Sequence, residues 1–198
     1  MKFADLVKFK NTGKIAIPES TFQVARTGGS TASIQESSFG IGLQGAKALK
    51  LLGEPNLLAL TKSASGEGMW VPYLAGRSVY GFLSGAQTWA ASGPYSGCYF
   101  EVGKLKGRIY VAHISCEGAT DPNVEAWKGA SAMSGKQVLY SKKIGMARDL
   151  PAGATNVATI VFADIAGDTV SVTRVDVQTA SAGGMSGPIF DVKQIDAD

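Results

Sequence analysis

The segment Gly97-Cys98-Tyr99-Phe100-Glu101-Val102-Gly103-Lys104-Leu105-Lys106-Gly107-Arg108-Ile109-Tyr110-Val111-Ala112-His113-Ile114-Ser115-Cys116 reads as a β-hairpin. Two runs rich in apolar, β-branched and aromatic residues, 97–102 and 108–115, flank a short polar joint containing glycine; this is the pattern of antiparallel strands joined by a tight loop. If residues 104–107 form a four-residue loop around a type I turn, with Gly107 in the left-handed conformation, Gly103 and Arg108 close the ladder. That register puts Cys98 directly opposite His113 on one face, with Cβ atoms about 4.5–5.5 Å apart. Cys116, three positions beyond His113, points to the other face, so no Cys98–Cys116 bridge is expected. A slip of one residue would set Cys98 against Ala112 and break the pairing.

Outward from the hairpin, strand patterns recur at 14–17, 21–25, 56–61, 69–74, 86–90, 137–141, 157–163 and 169–177. The last alternates Val170, Val172, Val175 and Val177 with polar neighbours, slipping once at Thr173-Arg174. Two helices are expected. One covers the Ala/Lys/Leu-rich stretch 43–52 and stops at Gly53; the other starts at Thr120-Asp121-Pro122, a cap followed by a proline suited to the first helical position, and runs to about Met133. The fold class that follows is α+β, a β-sandwich of mostly antiparallel strands with flanking helices, in a single catalytic domain spanning 1–198.

Composition agrees with that reading and removes several functions. Twenty-five glycines in 198 residues, with 18% charged residues, favour many turns and short strands over a helical bundle. A net charge of +3 is too small to imply nucleic-acid binding. No apolar run approaches the roughly 18 residues of a membrane span, and Asp5, Lys8 and Lys10 interrupt any secretory signal core, so a soluble protein without a classical signal peptide is expected. One histidine and two cysteines supply neither a multi-His zinc site nor a disulfide framework, and no metal or cofactor is expected. Gly40, Gly42 and Gly45 spell G-x-G-x-x-G ahead of the first expected helix. The preceding segment is polar and no acidic residue ends the next strand, so they are read as loop and close-packing residues and not as a dinucleotide site.

The chemistry must therefore come from few groups. Cys98 is the candidate nucleophile: a neighbouring protonated imidazole would lower its pKa and maintain thiolate, and His113 would take and return the proton. Backbone N–H groups of the Ser96-Gly97-Cys98 turn are candidate oxyanion donors. Ser92, Thr88 or a backbone carbonyl would orient the imidazole. The plainer alternative is a buried structural thiol and a satisfied core histidine.

Ser96-Gly97-Cys98, with its return to Val111-Ala112-His113-Ile114, resembles the S-G-C and histidine signature of bacterial glutamine deamidase toxins, the type represented by the catalytic domain of cytotoxic necrotizing factor and by Burkholderia lethal factor. Trp70-Val71-Pro72-Tyr73 is similar to a W-x-P-aromatic stretch of the latter, and the likeness covers 69–115. Related chemotaxis receptor deamidases carry a hydroxyl residue six positions before the cysteine, where this chain has Ser92; Tyr95 replaces the leucine expected before S-G-C. The resemblance implies a β-sandwich with flanking helices and cofactor-free hydrolysis of a glutamine side chain through a Cys98 thioester, with His113 and Ser92 completing the site. It implies a toxin or effector, delivered into a host cell by a dedicated secretion system, with a host protein such as a GTPase or translation factor as substrate; a monomer is expected, with the oligomeric state left open by the sequence. Another thiol hydrolase, a transglutaminase, or a non-catalytic β-sandwich binding module remain the alternatives. The aromatic residues around the hairpin are expected mainly in the core, and Lys104, Lys106 and Arg108 in a solvated turn.

Overall fold

A computed structural model of the chain describes residues 3–17, 33–36, 39–44, 57–62, 66–85, 87–116, 122–182 and 184–197. Thirteen strands account for most of them: β1 (Lys14–Ala16), β2 (Ser33–Glu36), β3 (Phe39–Gln44), β4 (Leu57–Lys62), β5 (Gly68–Pro72), β6 (Arg77–Phe82), β7 (Trp89–Gly93), β8 (Cys98–Leu105), β9 (Arg108–Ile114), β10 (Gln137–Ile144), β11 (Val157–Ala166), β12 (Thr169–Gln178) and β13 (Gly187–Ile195). Eight close into a barrel in the order β1-β13-β12-β11-β7-β5-β3-β4, and the others form a second sheet in the order β10-β8-β9-β6-β2. The expected sandwich-like α+β class is observed, with one of its two sheets closed on itself. Closure removes the exposed edges that an open sheet would present. Among the described residues no helix is long and apolar enough to cross a membrane.

Period-two alternation explains the layers. In β5, β7 and β11, Trp70, Trp89, Ala91, Ile160 and Phe162 point into the barrel, where they meet Val175, Val177 and Ile189. Their neighbours Met69, Val71, Ala90, Val161 and Ala163 point outward and pack on Phe100, Val102 and Val111 of the second sheet. The opposite face of that sheet, with Tyr110, Ala112 and Ile114, is covered by Trp127 of α1 (Pro122–Gly129) and Met133 of a short 3-10 turn. Strands β8 and β9 are thus apolar on both faces, and they lie at the centre of three layers. The slip in β12 has the same origin: Val172 serves the core between barrel and sheet, whereas Val175 and Val177 serve the barrel interior.

Several expectations change. Leu43 and Gln44 belong to β3, antiparallel to β4 and β5, and the rest of the expected helix 43–52 lies outside the described residues. Gly40 and Gly42 sit within β3, not at a strand-to-helix turn. The expected strand 21–25, and Thr120 and Asp121 ahead of α1, also lie outside the described residues. Strands β2, β3, β6 and β13 were not expected. β6 hides its alternation because Val79 and Tyr80 pack on opposite sides, and β13 carries a register shift opposite Asp176 and Val177.

The hairpin register also differs. Leu105 pairs with Arg108 around a two-residue turn, with φ of 50° at Lys106 and 77° at Gly107. Positive φ at both central residues defines a type I′ turn, whose twist matches that of the flanking strands. The ladder therefore gains two residues on the β8 side, and Phe100, not Cys98, lies opposite His113.

Candidate active site

A slip of two residues preserves faces, because the side-chain period is two. Cys98 consequently remains on the face of His113, as its diagonal neighbour, roughly 7–8 Å away between backbone positions in ordinary antiparallel geometry. Both face the barrel wall. His113 is in the middle strand of the five, flanked by Phe100 on β8 and Val79 on β6; Cys98 opens β8 beside Ile144 of β10.

Ser92 reaches the site from the barrel. It lies on β7 with its side chain outward, and its Oγ is 2.8 Å from His113 Nδ1 and 2.7 Å from the Val71 carbonyl on β5. A carbonyl can only accept, so the serine proton belongs to the Val71 bond, and Nδ1–H must donate to Oγ. The imidazole is thereby held as the Nδ1–H tautomer with its lone pair on Nε2. Nε2 is buried and has no hydrogen-bond partner among the described residues. Of the orienting groups considered, Ser92 holds the position; Thr88 is exposed, with its backbone joined to Glu67 and Ile165.

Burial sets the charge state. Ser92 and His113 are 0% exposed and Cys98 is 4% exposed, so the thiol is the member of the trio nearest solvent. Desolvation drives the His113 pKa down to about 3, because an imidazolium in this apolar layer would lose its hydration without a counter-charge. The expected resting thiolate–imidazolium pair is therefore replaced by a neutral imidazole on the face it shares with Cys98.

The Ser96-Gly97 turn is pinned at its edges. Tyr95 N–H donates to Thr159 at 2.9 Å and Gly97 N–H to Ile144 at 2.8 Å, so the Gly97 amide is committed and does not serve as an open oxyanion donor. Gly97 adopts φ of +130°, and a Cβ there would meet only Lys143 and Cys116 atoms at 3.9 and 4.0 Å. The glycine is required by its backbone angle, not by lack of space. Ser96 is exposed at the tip of this turn.

The aromatic residues divide by layer. Trp70 and Trp89 fill the barrel and Tyr110 the helix side, as core residues. Tyr95 and Tyr73 border His113, with ring centroids 4.1 and 5.1 Å from the imidazole. The stretch Trp70-Val71-Pro72-Tyr73 thus contributes the carbonyl that orders Ser92 and a ring beside the histidine. At the hairpin tip, Lys104 pairs with Asp168 and Arg108 stacks 4.1 Å over Phe82.

Sequence reading did not single out Glu101, whose Oε1 accepts from Tyr110, Trp127 and Lys136 on the helix side of the hairpin. A lone acidic residue in the middle of an apolar strand was the available signal. A scan against protein-family models finds no match for this chain, and a search of the curated proteins finds none either.

Proposed function

We propose that the protein is a cysteine-dependent deamidase that converts a glutamine side chain of a host protein to glutamate. Cys98 is the nucleophile, His113 the base and Ser92 the group that orients it. The observation that supports this most is the Val71–Ser92–His113 chain of hydrogen bonds, because it sets the tautomer that leaves the Nε2 lone pair open on the face shared with Cys98. A serine that served packing alone would leave the tautomer undefined.

The reaction runs from neutral groups. As Cys98 Sγ attacks the carboxamide carbon, its proton passes to Nε2. The tetrahedral intermediate collapses when the imidazolium returns that proton to the amide nitrogen; the C–N bond breaks and ammonia leaves a thioester. Water then attacks the thioester carbon and gives a proton to Nε2, the C–S bond breaks, and the thiolate recovers the proton as glutamate is released. Buried Ser92 supports the transient imidazolium through its oxygen. A primary amine in place of water would yield transglutamination by the same route.

The bacterial toxin or effector role, delivery by a dedicated secretion system and a GTPase or translation factor as target rest on the motif resemblance. A non-catalytic β-module is the second reading, favoured by the burial of Cys98 and His113. Peptide mass spectrometry of eukaryotic extract treated with wild type or Cys98→Ser separates the two. A glutamine-to-glutamate change found only with wild type is the expected result. Absence of any changed, crosslinked or cleaved product would sink the deamidase reading and leave the module.

A further inference from the structure

A strand fixes the Cβ of His113, and one hydrogen bond fixes one ring atom. Neither fixes the ring plane, since χ2 of histidine is a broad, roughly two-fold torsion. Tyr95 lies where that freedom would be expressed. Its ring is parallel to the imidazole within 5°, at a centroid separation of 4.1 Å. The plate is itself held: Phe100 meets it edge-on at 6.3 Å and 85°, and the backbone on either side is tied to Thr159 and Ile144.

The hydroxyl contributes little to this arrangement. Tyr95 OH is buried without a hydrogen bond of normal geometry to any of the described residues. Burial pushes the phenol pKa well above its usual range, although Ser92 is near enough to oppose the rise. An unmade bond on a buried hydroxyl is unfavourable, so the ring, and not its polar end, is the part that fits the site.

We propose that Tyr95 is a positioning residue whose stacked ring holds the His113 imidazole in the plane in which Nδ1 donates to Ser92, leaving Nε2 as the basic atom. The inference rests on the reading of Cys98, His113 and Ser92 as the reacting trio. A leucine at position 95 would offer the imidazole no flat face.

The single histidine makes the test direct. Nitrogen-15 labelling of histidine gives two ring nitrogens, whose long-range couplings report the tautomer. Wild type and Tyr95→Phe are expected as one Nδ1–H tautomer; Tyr95→Leu, or Tyr95→Met if the leucine variant does not fold, is expected as an averaged mixture. Ammonia release from α-casein, as the probe substrate, should be kept by the phenylalanine variant and fall about 10- to 100-fold in the leucine or methionine variant. A single Nδ1–H tautomer in the leucine or methionine variant overturns the proposal, as does loss of the tautomer in Tyr95→Phe, which would place the function in the hydroxyl. If wild type releases no ammonia from casein and changes no glutamine in cell extract, the deamidase reading fails, while the tautomer series still decides the role of Tyr95.

Discussion

On the helix side of the β8–β9 hairpin, one oxygen of Glu101 accepts hydrogen bonds from Tyr110 at 2.8 Å, Trp127 at 2.8 Å and Lys136 at 3.1 Å; on the barrel side, His113 Nε2 accepts from nothing among the described residues. The two groups are buried to similar depth, on the same two strands. Glu101 is a carboxylate surrounded by donors, one of them cationic and a second, Trp127, lying under that cation at 4.5 Å. His113 has one satisfied nitrogen and one left open. Saturation suits a group that locks a helix to a sheet, and an open bond suits a group that must exchange a proton. The difference separates a saturated polar anchor from the group proposed to react, without reference to burial, which is similar for both.

Removing the anchor should have the largest effect. In Glu101→Ala, three buried or half-buried donors lose their acceptor, and unfolding free energy measured by urea titration should fall by about 3–5 kcal/mol. Activity per folded molecule should persist, because the site lies on the other face. A variant of wild-type stability would show that water replaces the carboxylate and that the anchor is not one.

The open side should respond in rate before stability. Ser92→Ala removes the acceptor of Nδ1–H, and the imidazole is then free to take the other tautomer, whose protonated Nε2 cannot act as base. Deamidation should slow about 10- to 100-fold in a protein that still unfolds cooperatively. An unchanged rate would make Ser92 a packing residue and remove the strongest support for the site.

The pH dependence of stability distinguishes the faces more finely. His113 titrates near 6.5 when unfolded and at about 3 when folded. The unfolded chain therefore binds the proton first as pH falls. This contribution is fully present above about pH 6.5 and declines toward pH 3, by about 1.4 kcal/mol per unit. Urea titrations at several pH values should show wild type losing stability relative to His113→Gln at about that slope between about pH 6 and pH 4. Parallel curves would mean that the imidazole is hydrated and the barrel–sheet layer open.

How much of this was legible depends on the distance over which each feature is set. Strand identity and the shared face of Cys98 and His113 are local, and they survived a wrong loop length because the slip was even. The contact of Ser92 with His113 was legible only in part: the residues left Ser92, Thr88 and a backbone carbonyl open, and the resemblance singled out Ser92. Barrel closure was not, since it depends on β1 pairing with both β4 and β13, contacts that leave no mark in either segment. The charge of His113 and the stack of Tyr95 depend on a layer assembled from four strands and a loop. The register itself failed on one residue: a type I′ turn usually announces itself as Asn-Gly or Asp-Gly, and here Lys106 occupies the first left-handed position at φ of 50°.

That turn supplies the smallest and most specific test. Gly107 has φ of +77° with open space around its missing Cβ, so Gly107→Ala meets only backbone strain. It should cost about 1 kcal/mol, and the reverse strategy, Lys106→Asn, should recover a few tenths of that by suiting the left-handed conformation. Neither change touches the site, so both variants should keep full activity while the register holds. A loss of activity in Gly107→Ala larger than its loss of stability would mean that the hairpin can slip. A slip by one residue would turn Cys98 or His113 to the other side of the sheet, toward the helix layer and its saturated carboxylate. The open and closed faces of the hairpin are therefore kept apart by the turn, and its two residues are where that separation is most cheaply disturbed.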